Sequence, residues 1–151
     1  MTSENQSIAT EPPFPWYLRL VLMAVGGLLI GLLVTAGLLT PDPSGEGTHR
    51  QLGLPECSFQ LMFEGTPCPS CGMTTSWSHL MRGHIVQSAR ANIGGLLLGL
   101  AAMACGPWLL MSGVYARWWP GVPNEWVAIG ITVSIFAVTL VNWLLRLQGS
   151  A

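Results

Sequence analysis

The sequence predicts an all-α membrane protein: three transmembrane helices, with a short amphipathic interfacial helix and a cysteine knuckle between the first and second spans. Three observations predict it. The chain contains three apolar runs of about twenty residues, each long enough at 1.5 Å per residue to cross a hydrocarbon core of about 30 Å. Only 9% of its residues are charged while 50% are hydrophobic, against about a quarter charged in an average soluble domain, so the chain cannot clothe a water-facing surface. Three of the four cysteines, Cys57, Cys68 and Cys71, fall in one polar segment between apolar runs.

Taken in order, residues 1–15 form a tail with two glutamates and three prolines. Such a segment buries too little apolar surface to fold alone and is expected to be disordered. Residues 16–147 are expected to form a single membrane domain. Its first span covers about 17–39, where the run from Leu20 to Leu39 carries no charge. A cleaved signal peptide is the alternative, with Val34-Thr35-Ala36 imitating a cleavage site. Against it stand a run longer than an ordinary signal core and the lack of basic residues before it other than Arg19.

Pro41, Pro43, Gly45 and Gly47 end the first helix and open the cysteine-bearing loop, 40–92. In its last third Trp77, Leu80, Met81, Ile85, Ala89 and Ile93 recur at three- and four-residue spacing, with Ser78, His79, Arg82, Gln87 and Arg90 on other faces. This pattern predicts an amphipathic helix at the membrane surface, broken near Gly83, with His84 starting the next stretch.

The second and third spans, about 93–115 and 126–146, are joined by the turn ARWWPGVPNE. Pro107 should kink the second, since proline removes a backbone donor and crowds the preceding turn. Trp16, Trp118, Trp119, Trp126 and Trp143 fall near span ends, where an indole buries its rings and keeps its N–H at the headgroups. The pairs Gly27 and Gly31, and Gly95 and Gly99, allow close helix approach within the chain or between copies of it.

Three spans place the cysteine loop and the C-terminus on one face with Arg50, Arg82, Arg90 and Arg146, and leave Arg19 and Arg117 on the other. The positive-inside rule then puts the loop in the cytoplasm. Lysine is absent and the six arginines are scattered, so no nucleic-acid footprint exists. The central parts of the spans hold no ionisable group, which disfavours a pump or coupled transporter.

The sharpest local signal is Cys68-Pro69-Ser70-Cys71-Gly72, with Cys57 before it and His79 after it. Two thiols at this spacing converge on one centre, and the glycine permits a tight turn, as in half of a zinc ribbon. Cys57, Cys68 and Cys71 supply three ligands and His79 a fourth, with His49 as the alternative. Zinc is the metal such a Cys3His set predicts. The same spacing suits a redox pair of Cys68 and Cys71 with Cys57 as resolving thiol. A helix starting near Thr74 would then depress the pKa of Cys71. Inert turn cysteines are the third reading. His84 and His49 read first as a helix-start and a loop residue, and Cys105 as a small apolar side chain within the second span.

The run from Gly65 through Cys68-Pro69-Ser70-Cys71-Gly72 to Ser76 resembles the DUF2752 family of bacterial membrane proteins. Cys57 upstream, His79-Leu80-Met81-Arg82-Gly83 downstream and Ala89-Arg90-Ala91-Asn92 entering a span carry the same resemblance. It implies a bacterial cytoplasmic membrane location and makes Cys57, Cys68 and Cys71 part of the family's motif. Many members resemble CPxCGxTR, whereas Thr75 stands at the arginine position here, so no role of that arginine carries over. The functional expectation is a structural or partner-binding membrane protein whose partners are the bilayer and either further copies or other membrane proteins. A membrane thiol-disulfide oxidoreductase is the alternative.

Overall fold

The long apolar runs become helices because a backbone in lipid must satisfy its own hydrogen bonds. The computed structural model describes residues 13–55, 57–63, 66, 68–119, 121 and 124–149. Six α-helices, and no strand, occur among them: α1 (Trp16–Leu38), α2 (Ser58–Met62), α3 (Met73–Met81), α4 (Ile85–Ala91), α5 (Ile93–Tyr115) and α6 (Glu125–Gly149), with a 3-10 helix at Thr48–Leu52 before α2. α1, α5 and α6 are long and apolar enough to cross a membrane and match the three expected spans. Most of the expected tail lies outside the described residues. Its last part is anchored: the N–H of Phe14 donates to the carbonyl of Ala116 at 2.8 Å, and the Phe14 ring meets Trp118 edge-on at 5.1 Å.

α1 and α5 pack antiparallel through glycine. A Cβ at Gly26 would lie 2.7 Å from the Leu110 nitrogen and 2.8 Å from the Gly106 carbonyl oxygen, and one at Gly113 would lie 2.7 Å from Met23. The first-span pair Gly27 and Gly31 is not the contact, since both face open space; Gly26 on the adjoining face makes it. Gly95 and Gly99 receive α3 instead of α1: Cβ positions there would meet Ser76 and Leu80. Within lipid the solvent is as apolar as leucine, so small residues that let backbones touch decide which faces meet. The span windows of α6 bury no residue, and Phe136 and Val133 are exposed along it, so this helix offers its apolar surface to acyl chains.

α3 and α4 occupy the stretch where the short helix between the spans was expected. α3 lies against α1 and α5, and its fully buried residues are Thr75, Ser76 and Ser78, while Met81 and Ile85 are exposed. Each buried hydroxyl has a partner. Ser78 Oγ donates to the Leu39 carbonyl at 2.6 Å, Ser76 Oγ meets Ser88 Oγ at 2.9 Å, and Thr75 Oγ1 meets Thr48 Oγ1 at 2.8 Å. Polar side chains thus bind the helices together beside the buried Leu80, while Met81 and Ile85 turn outward. The break falls at Gly83 as expected. Gly83 N–H donates to Leu80 O and His84 N–H to His79 O, the paired bonds of a Schellman end, with Gly83 at φ +75°.

These bonds collect the loop at one end of the bundle. Leu39 at the end of α1, Gly95 at the start of α5 and Arg146 near the end of α6 all reach it, the last by donating to the Ala91 carbonyl. Pro107 sits inside a helix that continues to Tyr115.

Candidate metal centre

The cysteine turn is built from short-range bonds. Cys71 N–H donates to the Cys68 carbonyl at 3.1 Å, Met73 N–H to that of Ser70 at 3.1 Å, and α3 begins immediately afterwards. Gly72 permits this sequence of turn and helix. It adopts φ +82°, and a Cβ there would lie 2.7 Å from the Ala91 carbonyl oxygen and 2.8 Å from that of Gly45. The turn is also held from behind. Asn92, only 2% exposed, donates from Nδ2 to the carbonyls of Pro69 and Cys71, both at 3.0 Å. Cys57 arrives separately, as the residue capping α2.

The three sulfurs converge. Cys57 Sγ lies 3.5 Å from Cys68 Sγ, which lies 3.0 Å from Cys71 Sγ, and all three fall within 4.8 Å of one another. None is in a disulfide, whose sulfurs would stand about 2.05 Å apart. Sulfurs around a tetrahedral zinc at about 2.3 Å stand about 3.8 Å apart, so Cys57 and Cys68 at 3.5 Å are near that spacing and Cys68 and Cys71 at 3.0 Å are closer. Cys71 is buried, and Cys57 and Cys68 are half-buried.

Electrostatics separate Cys68 from Cys71. Burial opposes the Cys68 thiolate, but hydrogen bonds with Ser70 Oγ at 3.1 Å, with Cys71 and with Cys57 outweigh it and hold this thiol below the ordinary range. Burial, followed by pairing with Cys68, pushes Cys71 far up. The expected depression of Cys71 by the start of α3 is therefore reversed: the helix terminus acts on a sulfur with little solvation, and desolvation dominates.

His79 stands apart from the group of sulfurs. It lines a different cavity, of about 330 Å³, with Asp42, Ser44, Gln87 and Arg90. Its ring centroid is 5.9 Å from that of His84, and its buried Nδ1 has no hydrogen-bond partner among the described residues. His49, Glu46 and the three cysteines line a cavity of about 580 Å³, walled on one side by Leu32 and Ala36 of α1. Cys105 is exposed on α5 instead of packed within the bundle. In the sequence Asn92 stood only within the motif entering the span and had no role of its own, although an asparagine directly before an apolar run is a helix-start signal. Sequence reasoning also missed Ser70 and the Thr48 and Thr75 pair, which carry no local signature.

Residues 57–106 match the family model of DUF2752, described as a protein of unknown function. The match begins on Cys57 and takes in the cysteine turn, α3, α4 and α5 as far as Gly106. No curated protein and no solved structure is similar to the chain. The matched segment is thus the part in which three cysteines able to hold a metal ion are fastened to the start of a span.

Proposed function

We propose that Cys57, Cys68 and Cys71 hold a structural zinc ion, and that the resulting knuckle serves a structural or partner-binding role in a bacterial cytoplasmic membrane. The observation that carries this reading is the approach of three free thiols, from two separate stretches of chain, to within 4.8 Å of one another. Three thiolates so placed repel one another, whereas a thiolate-preferring divalent ion binds all three. Thiolate ligands favour zinc, whose tetrahedral site has no geometric demand beyond four donors.

The knuckle fixes the chain that links α1 to α5. Its turn is gripped by Asn92, the cap of α5, so metal binding and helix packing support each other. Four arginines on the loop face against two on the other favour a cytoplasmic position for the knuckle. Exposed Leu61, Met62 and Phe63 beside the cluster give a partner or the bilayer an apolar foothold.

The test is thermal unfolding of the full chain in detergent with and without a strong chelator, beside the Cys68→Ser variant. Chelation and substitution should each lower the midpoint, because binding energy at a structural site is folding energy. Unchanged midpoints in both would contradict the proposal.

A further inference from the structure

We infer that His49 closes the cluster as the fourth ligand, an inference that rests on the metal reading above. A structural zinc site is four-coordinate, and three sulfurs leave one position for a nitrogen or oxygen donor. Among the described residues, the other metal-binding side chains lining the cavity that contains the sulfurs are Glu46 and His49. Glu46 is engaged: its Oε2 accepts from Gln60 Nε2 at 2.6 Å.

The hydrogen bonding of His49 leaves a nitrogen to offer. Its Nε2 lies 3.2 Å from the Pro55 carbonyl oxygen. A carbonyl only accepts, so Nε2 carries the proton and Nδ1 presents the lone pair. Metal-binding histidines are oriented in this way, one ring nitrogen donating to a backbone carbonyl while the other faces the ion. Pro55 also lies two residues before Cys57, so the bond ties the imidazole to the stretch that delivers a sulfur.

The 3-10 helix carrying His49 is pinned on its other side. Thr48 is fully buried; its Oγ1 accepts the Asp42 N–H at 2.9 Å and meets Thr75 Oγ1, four residues beyond Cys71, at 2.8 Å. The half-buried His49 ring therefore hangs from an anchored backbone, facing a cavity it shares with the sulfurs. It stands outside the 4.8 Å group, so ligation draws the cysteine turn and the ring together across the cavity they share, with the Pro55 bond kept. His79, lining a separate cavity on the far part of α3, has no such route.

The experiment is cobalt(II) titration of the detergent-purified full chain, comparing wild type with His49→Ala, His49→Cys and His79→Ala. Wild type and His79→Ala should give the same intense tetrahedral visible bands. His49→Ala should keep sulfur-to-metal charge transfer, change its ligand-field bands and bind roughly tenfold or more weakly. His49→Cys should restore tight tetrahedral binding with an added sulfur band, which also covers the case in which the alanine variant fails to fold. A His49→Ala or His49→Cys spectrum and affinity identical to wild type overturn the inference while leaving the metal reading intact. Wild type that binds no cobalt and no zinc overturns both.

Discussion

The side-chain amide of Asn92 donates 3.0 Å hydrogen bonds to the carbonyls of Cys71 and Pro69, while its Oδ1 accepts the Gly95 N–H at 2.8 Å. One residue therefore caps the second span and holds the cysteine turn from behind. Helix start and candidate metal centre share a single side chain, and disturbing either should be felt at the other.

Asn92→Ala removes the cap, a loss of about 1 kcal/mol, and strands the buried Cys71 carbonyl at about 1 kcal/mol or more. Asn92→Ser keeps an acceptor for the helix start but cannot reach the turn. Thermal unfolding in detergent should rank wild type above Asn92→Ser above Asn92→Ala, and metal retention should follow the same order. Equal midpoints for all three would remove the coupling.

Gly72→Ala should cost at least about 3 kcal/mol, since positive φ alone costs about 1–2 kcal/mol and the added Cβ meets two backbone oxygens that cannot rotate away. Gly53→Ala is the control. Gly53 has φ +75° but open space around it, so only the backbone cost of about 1–2 kcal/mol applies. Similar losses in the two variants, read from unfolding curves, would show that the contact at Gly72 is looser than 2.7 Å implies.

Gly26→Ala should weaken the α1 and α5 pairing, because the Cβ would press on the Leu110 nitrogen and the Gly106 oxygen, whereas Gly27→Ala adds a methyl to open space. Unfolding by increasing anionic detergent should reveal a lower midpoint for Gly26→Ala alone. The reverse ranking would mean that Gly27, not Gly26, faces a helix neighbour.

Burial first, then the charges of His84 and Arg82, hold His79 below its ordinary range. Its folded pKa is thus lower than the unfolded value of about 6.5. As pH falls through that value the unfolded chain takes up the proton first, so stability is full above it and lost progressively down to the folded pKa. His79→Gln should flatten the fall in unfolding midpoint between about pH 7 and pH 5 relative to wild type. The comparison is between variants because acid also removes metal from both. Parallel pH profiles would exclude a contribution from His79.

The spans were legible because a charge-free run of twenty residues has one stable environment, and α1, α5 and α6 occupy those runs. The break at Gly83 was legible for a local reason too, since only a short sequence sets a Schellman end. The buried face of α3 was legible only in part. Apolar periodicity pointed to Trp77, Leu80, Met81, Ile85, Ala89 and Ile93; Leu80 is buried, but Met81 and Ile85 are exposed and Ser76 and Ser78 are fully buried. A rule learned from water weakens when the outer medium is hydrocarbon: leucine-like residues lose nothing by facing it, while hydroxyls must find partners inside. Within the site, C-x-x-C spacing announced Cys68 and Cys71 and the sequence offered Cys57 as a third ligand, and the structure brings the three sulfurs together. The position of His79 was beyond local reading. Whether a histidine eight residues after Cys71 reaches the sulfurs depends on where α3 packs, and α3 is placed by bonds to Leu39, Ser88 and Gly95 far along the chain.

The central claim is that three thiols share one metal ion. It is tested most directly by elemental analysis of the detergent-purified chain alongside titration of its reactive thiols before and after chelation. The account predicts about one zinc per chain, with three of the four cysteines shielded until the metal is removed. Protein without bound metal, whose thiols react equally in both conditions, would contradict it.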